Sequence, residues 1–252
     1  IIGLCLIIGG IRHYEQNFSA SSVNIALISL VSIIVFTLVF PSFATSTEGP
    51  YYSTPHLLFA AFACLIIYAA FLFAQTRRYR QYFLTVGPDD DEDRAVPIII
   101  SNCSFVTSLV FLVASLGIVV LLAKTLSPTI ERVITSYSLP KKLVGVVIAA
   151  IILLPEAVAA INAAWKNRLQ TSLNLALGSA LASIGLTIPT VAVVCIMLNI
   201  PIIMGLDIKS IVLLGLSVLT VMLALSKGKS NIVYGVVLLV NLVAFLFMMI
   251  YP

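Results

Sequence analysis

Residues Leu143 to Pro189 read LVGVVIAAIILLPEAVAAINAAWKNRLQTSLNLALGSALASIGLTIP, two long apolar runs joined by the short connection WKNRLQ. A helix needs about 20 apolar residues to cross a hydrocarbon core about 30 Å thick, and each run is close to that length. Barrel strands instead alternate apolar and polar residues over about ten positions, and these runs do not alternate. The stretch therefore predicts a pair of transmembrane helices.

The same pattern continues along the rest of the chain. Of its 252 residues, 61% are hydrophobic and only 10% are charged, and the mean hydropathy is +1.15. Soluble domains have about 45–50% apolar and about 25% charged residues, so this chain cannot cover a water-facing surface. The composition excludes a soluble enzyme and a nucleic-acid binder, and it predicts an all-α, polytopic transmembrane helix bundle in a lipid bilayer.

Seven runs are predicted to span the membrane. They are Val23–Phe40, His56–Ala74, Ile98–Ala123, Leu143–Ala164, Ser172–Leu198, Ile208–Leu225 and Asn231–Tyr251. An eighth run, Ile1–Gly10, is apolar from its first residue but too short to cross.

Basic residues in alternate connections predict the orientation, because cytoplasmic connections carry an excess of Lys and Arg. One set of connections contains Arg12, Arg77, Arg78, Arg80, Arg94, Lys166, Arg168, Lys227 and Lys229. The other set contains Lys124, Arg132, Lys141, Lys142 and Lys209. The first set is the larger, so it is predicted to be cytoplasmic, which places the C-terminus outside.

An acidic run, Asp89–Asp93, lies in the connection between the second and third spans. It does not fit a calcium-binding EF-hand loop, because Arg94 would take the glycine position and Ile100 the glutamate position. A solvated linker and a weakly cation-attracting regulatory loop both remain open. The chain is accordingly divided into residues 1–76, a cytoplasmic acidic linker over 77–97, and a second half over 98–252 that contains the cation site.

Glu156 is unlike the nine other acids, which lie in or beside polar connections, because it lies inside a long apolar run. It is the fourteenth residue of Leu143–Ala164, near the centre of the bilayer, where an ionisable group costs at least a few kcal/mol and usually marks an ion path or proton relay. Low dielectric favours the protonated carboxyl, whereas a nearby cation favours the ionised one. Such a carboxyl can release a proton when it takes up an ion. A bent structural helix with a protonated, hydrogen-bonded Glu156 is the alternative.

Two prolines are predicted to free backbone carbonyls at membrane depth. A proline inside a helix has no N–H for the carbonyl four residues earlier, which is that of Ile151 for Pro155 and that of Gly185 for Pro189. Transporters use interrupted helices of this kind to present backbone oxygens to ions. The carbonyls of Ile151 and Gly185 are therefore candidate ligands.

The next helix adds hydroxyl groups at helical spacing. Ser179, Ser183 and Thr187 are four residues apart and share one face, beside a strip of small residues that lets a neighbouring helix approach closely. Such hydroxyls are either helix-packing groups or ligands facing Glu156 across a six-residue turn, Trp165–Gln170. Calcium takes six to eight oxygen ligands, so a second carboxylate must come from elsewhere.

The segment LLPEAVAAINAAWKNRLQTSLNLALGSALASIGLTIP (residues 153–189) closely resembles the second alpha repeat of the cation/calcium exchanger superfamily, in its bacterial ChaA-like calcium/proton antiporter branch. The segments IIGG-IRHYEQNF and FPSFATSTEGPYYSTP and the acidic linker are similar to that branch as well. The resemblance implies an inverted-repeat fold of five plus five helices, in which each repeat contributes one acid to a cation site at mid-membrane. Glu156 would be the acid of the second repeat, and Gly178-Ser179 its Gly-Ser pair.

The chain also departs from that pattern. Ile152-Leu153-Leu154-Pro155 replaces the Gly-Asn-Ala found before the acid in other branches, and Ala180, Ala182 and Ser183 replace more polar residues, so the cation remains open. By the same resemblance, Ile1–Gly10 would be the tail of the second helix of the first repeat. The chain would then be a fragment with about seven and a half helices and half of the ion site, the other acid preceding Ile1.

The sequence and the resemblance together predict a secondary active antiporter of a bacterial inner membrane that exports calcium in exchange for protons. Glu156 would bind the metal ion and the proton, with Ser179, Ser183, Ile151 and Gly185 as further ligands. Calcium is cargo here, and no cofactor is expected. Sodium/proton or potassium/proton exchange is the alternative, and a non-transporting structural subunit is the alternative from another class. An enzyme is not expected, since neither an HExxH motif nor a plausible Ser–His pair is present. The oligomeric state is open.

Overall fold

A computed structural model describes residues 1–43, 54–84, 102–136, 140, 142–198 and 205–251. The helices are α1 (Ile2–His13), α2 (Ala20–Ile34), α3 (Phe40–Phe43), α4 (Thr54–Phe73), α5 (Arg80–Phe83), α6 (Asn102–Ser136), α7 (Lys142–Ile152), α8 (Leu154–Trp165), α9 (Leu169–Leu198), α10 (Ile208–Leu225) and α11 (Ile232–Ile250). A π-helical turn at Val35–Val39 joins α2 to α3, and a second at Ala74–Arg78 continues α4. The predicted all-α bundle is confirmed.

Within the part of the chain that the structure describes, five helical segments are long and apolar enough to cross a membrane. They are Ala20–Phe43, Thr54–Arg78, Leu169–Leu198, Ile208–Leu225 and Ile232–Ile250. A sixth span results if α7 and α8 together count as one broken span. These spans coincide with predicted runs. The acidic run Asp89–Asp93 lies outside the described residues, so its predictions are untested.

The prediction for the third span was wrong about its end. The apolar run stops at Ala123, but α6 continues through Lys124 and Pro128 to Ser136. Lys, Glu and Arg are good helix formers, so hydropathy locates the end of the apolar segment and not the end of the helix.

The prediction of one continuous helix over Leu143–Ala164 was also wrong. The helix is interrupted at Leu153, where the Leu153 amide donates to the Ala149 carbonyl (2.9 Å), and α8 begins at Leu154. Pro155 causes the interruption because it lacks an N–H and disfavours helical geometry at the residue before it. A proline is tolerated in the first turn of a new helix, because the backbone N–H groups of that turn have no intrahelical carbonyl to bind and the missing N–H loses no bond. Glu156 consequently lies in the first turn of α8.

The connection between α8 and α9 is shorter than the six residues predicted. Only Lys166–Arg168 separate the two helices, because Leu169 and Gln170 are buried and begin α9. Asn167 takes the left-handed conformation (φ 61°), which Asn tolerates better than most residues. The amide of Arg168 donates to the carbonyl of Ala163 (2.9 Å), so this turn holds the two helices close together.

The chain forms two compact units that interleave in sequence. The first comprises Ile1–Val86 and Glu156–Phe245, and the second Gly87–Pro155 and Leu246–Pro252. In the first unit α9 is central and packs against α1, α2 and α4, whereas in the second α6 packs against α7. The core of the first unit is built around Leu173, Leu177 and Leu181 of α9, all of them buried. The predicted division at residues 76 and 97 stays a prediction.

Helices α4 and α9 run antiparallel. Leu57 near the start of α4 packs with Ala192 near the end of α9. Further along α4, the side chain of Tyr68 lies 3.1 Å from where a Cβ of Gly185 would stand. Beyond α4, the carbonyl of Phe83 accepts a hydrogen bond from Asn174 Nδ2 (2.8 Å). This register decides which α4 residues face the site described below.

Polar side chains, most of them buried, tie three connections together at one end of the first unit. This polar end cluster consists of Gln16, Ser19, Ser22, Asn167, Gln170 and Ser230. Gln16 Nε2 donates to the Ala164 carbonyl (2.9 Å) and to Asn167 Oδ1 (3.0 Å), and the Gln16 amide donates to Ser230 Oγ (2.8 Å). The connections after α1, α8 and α10, which are basic in sequence, therefore meet at one end, as the predicted alternation requires.

Candidate functional site

A cavity of about 410 Å³ lies within the first unit between α4, α8 and α9. Its lining residues are Tyr68, Phe71, Leu72 and Gln75 from α4 and its π turn, Glu156 from α8, and Asn174, Leu175, Gly178, Ser179, Ala182 and Ser183 from α9. Water takes about 30 Å³ per molecule in the liquid, so the cavity has room for on the order of ten waters. A cation can thus enter it with much of its hydration shell.

Glu156 is the one acid among the described lining residues. Its Oε2 atom is buried and has no hydrogen-bond partner within the described parts of the chain. A buried polar atom without a partner costs about 1–3 kcal/mol, and more for a charged group, so this arrangement requires an explanation such as an absent ion or water. The carboxyl also lies in the first turn of α8, where the helix dipole stabilises negative charge.

Ser179 presents a second oxygen of the same kind. Its Oγ atom is buried and, among the described residues, has no hydrogen-bond partner. Ser183, one turn further along α9, also lines the cavity and is exposed. The structure thus places three of the predicted ligands, Glu156, Ser179 and Ser183, around one cavity, although their role in binding stays a prediction.

Glu156 and the Gly178-Ser179 pair lie at the same depth along their helices. Glu156 precedes Trp165, the last residue of α8, by nine residues, and Gly178 follows Leu169, the first residue of α9, by nine residues. At a rise of about 1.5 Å per residue, both are about 13 Å from the short turn that joins the two helices. A Cβ on Gly178 would meet no atom within 4 Å, so this glycine faces open space.

The other two predicted ligands do not line this cavity. Gly185 is buried against Tyr68, which makes it a helix-packing position. Ile151 lies in the last turn of α7, in the second unit. The carbonyl of Ile151 lies in the last turn of a helix, where carbonyls have no intrahelical partner, and Pro155 has no N–H to offer it, so its role as a ligand stays a prediction. Thr187, the third hydroxyl in the predicted series, is exposed and is not part of the lining.

Three polar lining residues were missed by sequence reasoning: Tyr68, Gln75 and Asn174. Tyr68 and Gln75 are seven residues apart and so share a helical face with Phe71 and Leu72. A polar residue on that face, next to the end of the predicted span at Ala74, is a signal that could have identified Gln75. Nothing local to α4 indicates that this face meets α9.

Asn174 has both ends of its amide occupied. Its Oδ1 accepts from Gln170 Nε2 (2.9 Å), and its Nδ2 donates to the Phe83 carbonyl (2.8 Å). Gln75 differs, since no hydrogen bond of its side chain is formed with the described residues. The cavity therefore contains one carboxylate, unpaired hydroxyl oxygen and amide oxygen, which are ligand types that hard cations take.

The described residues contain no group of three or more His, Cys, Asp or Glu side chains able to hold a metal ion. One carboxylate with neutral oxygens makes a weaker site than a cluster of acids, because the affinity of oxygen sites for calcium rises with the number of charged ligands. A transported ion must dissociate from its site after it has bound, and weak binding makes that dissociation fast.

Comparison with known proteins places the geometry in context. Residues 107–251 match the family described as Sodium/calcium exchanger protein. The chain is 37% identical to the putative ionic transporter y4hA of Sinorhizobium fredii, over all of this chain and 68% of that protein. It is 27% identical to the sodium-potassium/proton antiporter ChaA of Escherichia coli, over 98% of this chain and 67% of that protein.

Two further likenesses extend the comparison. The chain is 30% identical to vacuolar cation/proton exchanger 3 of Arabidopsis thaliana, over 69% of this chain and 39% of that protein. The solved structure of native YfkE superposes with a TM-score of 0.69 at 18% identity, covering all of this chain and 70% of that one. This last likeness concerns the fold alone.

Proposed function

Because the chain belongs to the sodium/calcium exchanger protein family, and is by that relationship a cation/proton antiporter, we propose that Glu156 is the group at which cation and proton replace each other. The resemblance identified in the sequence is confirmed by the family match. The observation that carries the proposal is the pairing of two buried, unpartnered oxygens, Glu156 Oε2 and Ser179 Oγ, in one cavity.

The exchange follows from the alternatives open to a carboxyl at this position. An ionised Glu156 with no hydrogen-bond partner is costly in a low-dielectric site. Either a proton or a cation neutralises the carboxylate. Once one of them is bound, the negative charge that attracts the other is gone, so the two compete for Glu156. A proton bound from one side therefore leaves when a cation binds, which couples the two fluxes.

We propose calcium as the exported cation. Carboxylate, hydroxyl and amide oxygens suit a hard divalent ion, and the cavity admits it with part of its hydration shell. The alternative is sodium or potassium, which is favoured by the name of the Escherichia coli relative and by Ala182 in the cavity wall, where no polar side chain adds a ligand.

The proposed location is a bacterial inner membrane, with the polar end cluster on the cytoplasmic side. The basic connections that contain Arg12, Lys166 and Lys229 meet at that end, and basic connections face the cytoplasm. With this orientation the C-terminus is outside.

The test is Glu156→Gln, assayed as calcium-dependent proton flux in everted membrane vesicles. The substitution keeps the size of the side chain but removes the group that binds and releases the proton. Because the exchange step requires that group, flux is expected to fall by at least about 100-fold. Glu15→Gln is the matched control, because Glu15 is exposed and, among the described residues, forms an ion pair with exposed Lys229 (3.4 Å), an interaction of at most about 1 kcal/mol.

Retention of normal flux by Glu156→Gln would overturn the proposal. A non-transporting structural subunit would show no cation-dependent proton flux even in the unaltered protein. Parallel assays with sodium and potassium decide between the cations, since only the transported ion drives proton release.

A further inference from the structure

Two polar residues of the cavity wall, Tyr68 and Gln75, come from neither helix of the α8–α9 pair. Of these two, Gln75 carries the amide oxygen. Gln75 lies on the face of α4 that lines the cavity, together with Tyr68, Phe71 and Leu72. It is half-buried, and its side chain forms no hydrogen bond with the described residues. A primary amide offers one oxygen acceptor and two N–H donors, and because Gln75 borders the cavity, its oxygen is within the space that a ligand would enter.

The register between α4 and α9 places Gln75 at the depth of the site. Tyr68 lies against Gly185, and the helices are antiparallel. Seven residues along α4 from Tyr68 lead to Gln75, and seven residues back along α9 from Gly185 lead to Gly178. Gln75 is therefore level with Gly178, which is the depth already found for Glu156.

The glycine at this level keeps the space between the helices open. No atom lies within 4 Å of the position that a Cβ of Gly178 would take. A larger side chain there would occupy the space that Gln75 shares with Ser179 and Glu156. Three helices thus contribute one oxygen-bearing side chain each to one level of one cavity.

The last turn of α4 shapes this wall. It is π-helical over Ala74–Arg78, where the Tyr79 amide donates to the Ala74 carbonyl (2.8 Å). Such wide turns are rare and are often found at functional sites. Thr76, the next residue, is exposed, and its hydroxyl donates to the Leu72 carbonyl (2.6 Å). Gln75 therefore lines the cavity, whereas Thr76 does not.

We propose that the Gln75 side-chain oxygen is a ligand of the transported cation and helps to decide which cation is selected. This rests on the proposed function of Glu156. A neutral amide oxygen replaces one water of the hydration shell and leaves the charge balance with Glu156 unchanged. Removing it should weaken cation binding without stopping the exchange, and should do so unequally for ions that prefer different numbers of oxygens.

The test is Gln75→Leu in the same vesicle assay, with Thr76→Val as the matched control on the adjacent residue. The KM for the transported cation is expected to rise about 5- to 10-fold, the size of one lost hydrogen-bond-like contact, while kcat changes by less than about twofold. The ratio of KM values for calcium and sodium should shift. Thr76→Val should leave every value unchanged.

A second variant guards against a folding defect in the first. Gln75→Glu retains a side-chain oxygen and adds charge, so it is expected to lower the KM for a divalent cation relative to a monovalent one. Unchanged KM values and unchanged selectivity in both folded variants would overturn the inference. If that result accompanies loss of flux in Glu156→Gln, the inference fails alone; if Glu156→Gln retains flux, the proposed function itself fails.

Discussion

The polar end cluster and the cavity lie along the same helix, α9, and they treat buried polar groups in opposite ways. In the end cluster Gln170 has its amide oxygen and both amide hydrogens occupied, by the Ser19 amide (2.6 Å), Ser22 Oγ (2.7 Å) and Asn174 Oδ1 (2.9 Å). In the cavity, two turns away, Ser179 Oγ and Glu156 Oε2 have no partner within the described structure.

The end cluster also contains an oxygen without a partner among the described residues, Gln16 Oε1, but Gln16 does not line the cavity that contains Glu156. That oxygen lies so close to Gly9 that a Cβ at that position would collide with it. The unpaired oxygens of the cavity face space instead. Saturated buried networks stabilise and order a structure, whereas unsaturated oxygens beside open space are available to a ligand. The end cluster therefore holds the helices together, and the open oxygens of the cavity are those to which the proposed cation binding is assigned.

The largest expected effect breaks the end cluster. Gln170→Leu takes away the partner of the Ser19 amide and of Asn174 Oδ1, and it leaves Ser22 Oγ with only its own bond to the Ser19 carbonyl (3.0 Å). A group left without a partner costs about 1–3 kcal/mol. The free energy of unfolding should fall by about 2–5 kcal/mol, measured as thermal unfolding in detergent. Glu156→Gln is the control, because it is expected to lose proton flux and to keep the melting temperature of the unaltered protein. Equal melting temperatures for Gln170→Leu and the unaltered protein would contradict the assignment of the end cluster.

A smaller effect is expected from hydroxyl removal on α9. Ser179→Ala should raise the KM for the transported cation about 3- to 10-fold, because one candidate ligand oxygen is lost. Ser172→Ala is the matched control, since Ser172 Oγ is also buried and without a partner among the described residues but does not line the cavity. Equal KM values for both variants in the vesicle assay would show that Ser179 is only a packing residue.

The smallest effects concern two glycines of α9. Gly178→Ala has room for its methyl group, and alanine is favoured over glycine in a helix by about 1 kcal/mol. Its stability should therefore be unchanged or slightly higher, while flux falls because the cavity narrows. Thermal unfolding and the vesicle assay measure the two quantities on the same preparation.

Gly185→Ala, in contrast, is expected to lower the stability of the protein. Its Cβ would lie 3.1 Å from Tyr68, so α4 and α9 must separate slightly, which costs about 1 kcal/mol or more. A Gly185→Ala protein that is as stable as Gly178→Ala would show that the α4–α9 contact is looser than the structure indicates.

Much of the site was accessible from local sequence. Glu156 stands out because a single acid in a long apolar run has few explanations, and Ser179 and Ser183 follow from the four-residue spacing of a helical face. An effect of Pro155 on the helix was anticipated, although one continuous span over Leu143–Ala164 was predicted, since the amide lost at Pro155 and the constraint on Leu154 together end α7.

Other features depended on contacts between distant parts of the chain. Gly185 was predicted to offer a carbonyl, and that stays a prediction, whereas its packing against Tyr68, more than one hundred residues earlier, is visible only in the fold. Gln75 reaches the cavity only because α4 is antiparallel to α9 in a particular register. Gln16 and Gln170 read as polar residues of short connections, and only the fold shows that they are buried.

The sequence by itself determined that this protein is a bundle of membrane helices, which acidic residue lies inside a long apolar run, and to which family the chain belongs. Those properties reside in hydropathy, helical periodicity and a motif of about forty residues, all of them local. Which helix faces α9, at what register and with which of its polar groups left unpaired was decided by the tertiary structure. The physical reason is that apolar helix surfaces pack against many partners with similar energy, so the choice among them depends on the shape and hydrogen bonding of the whole unit.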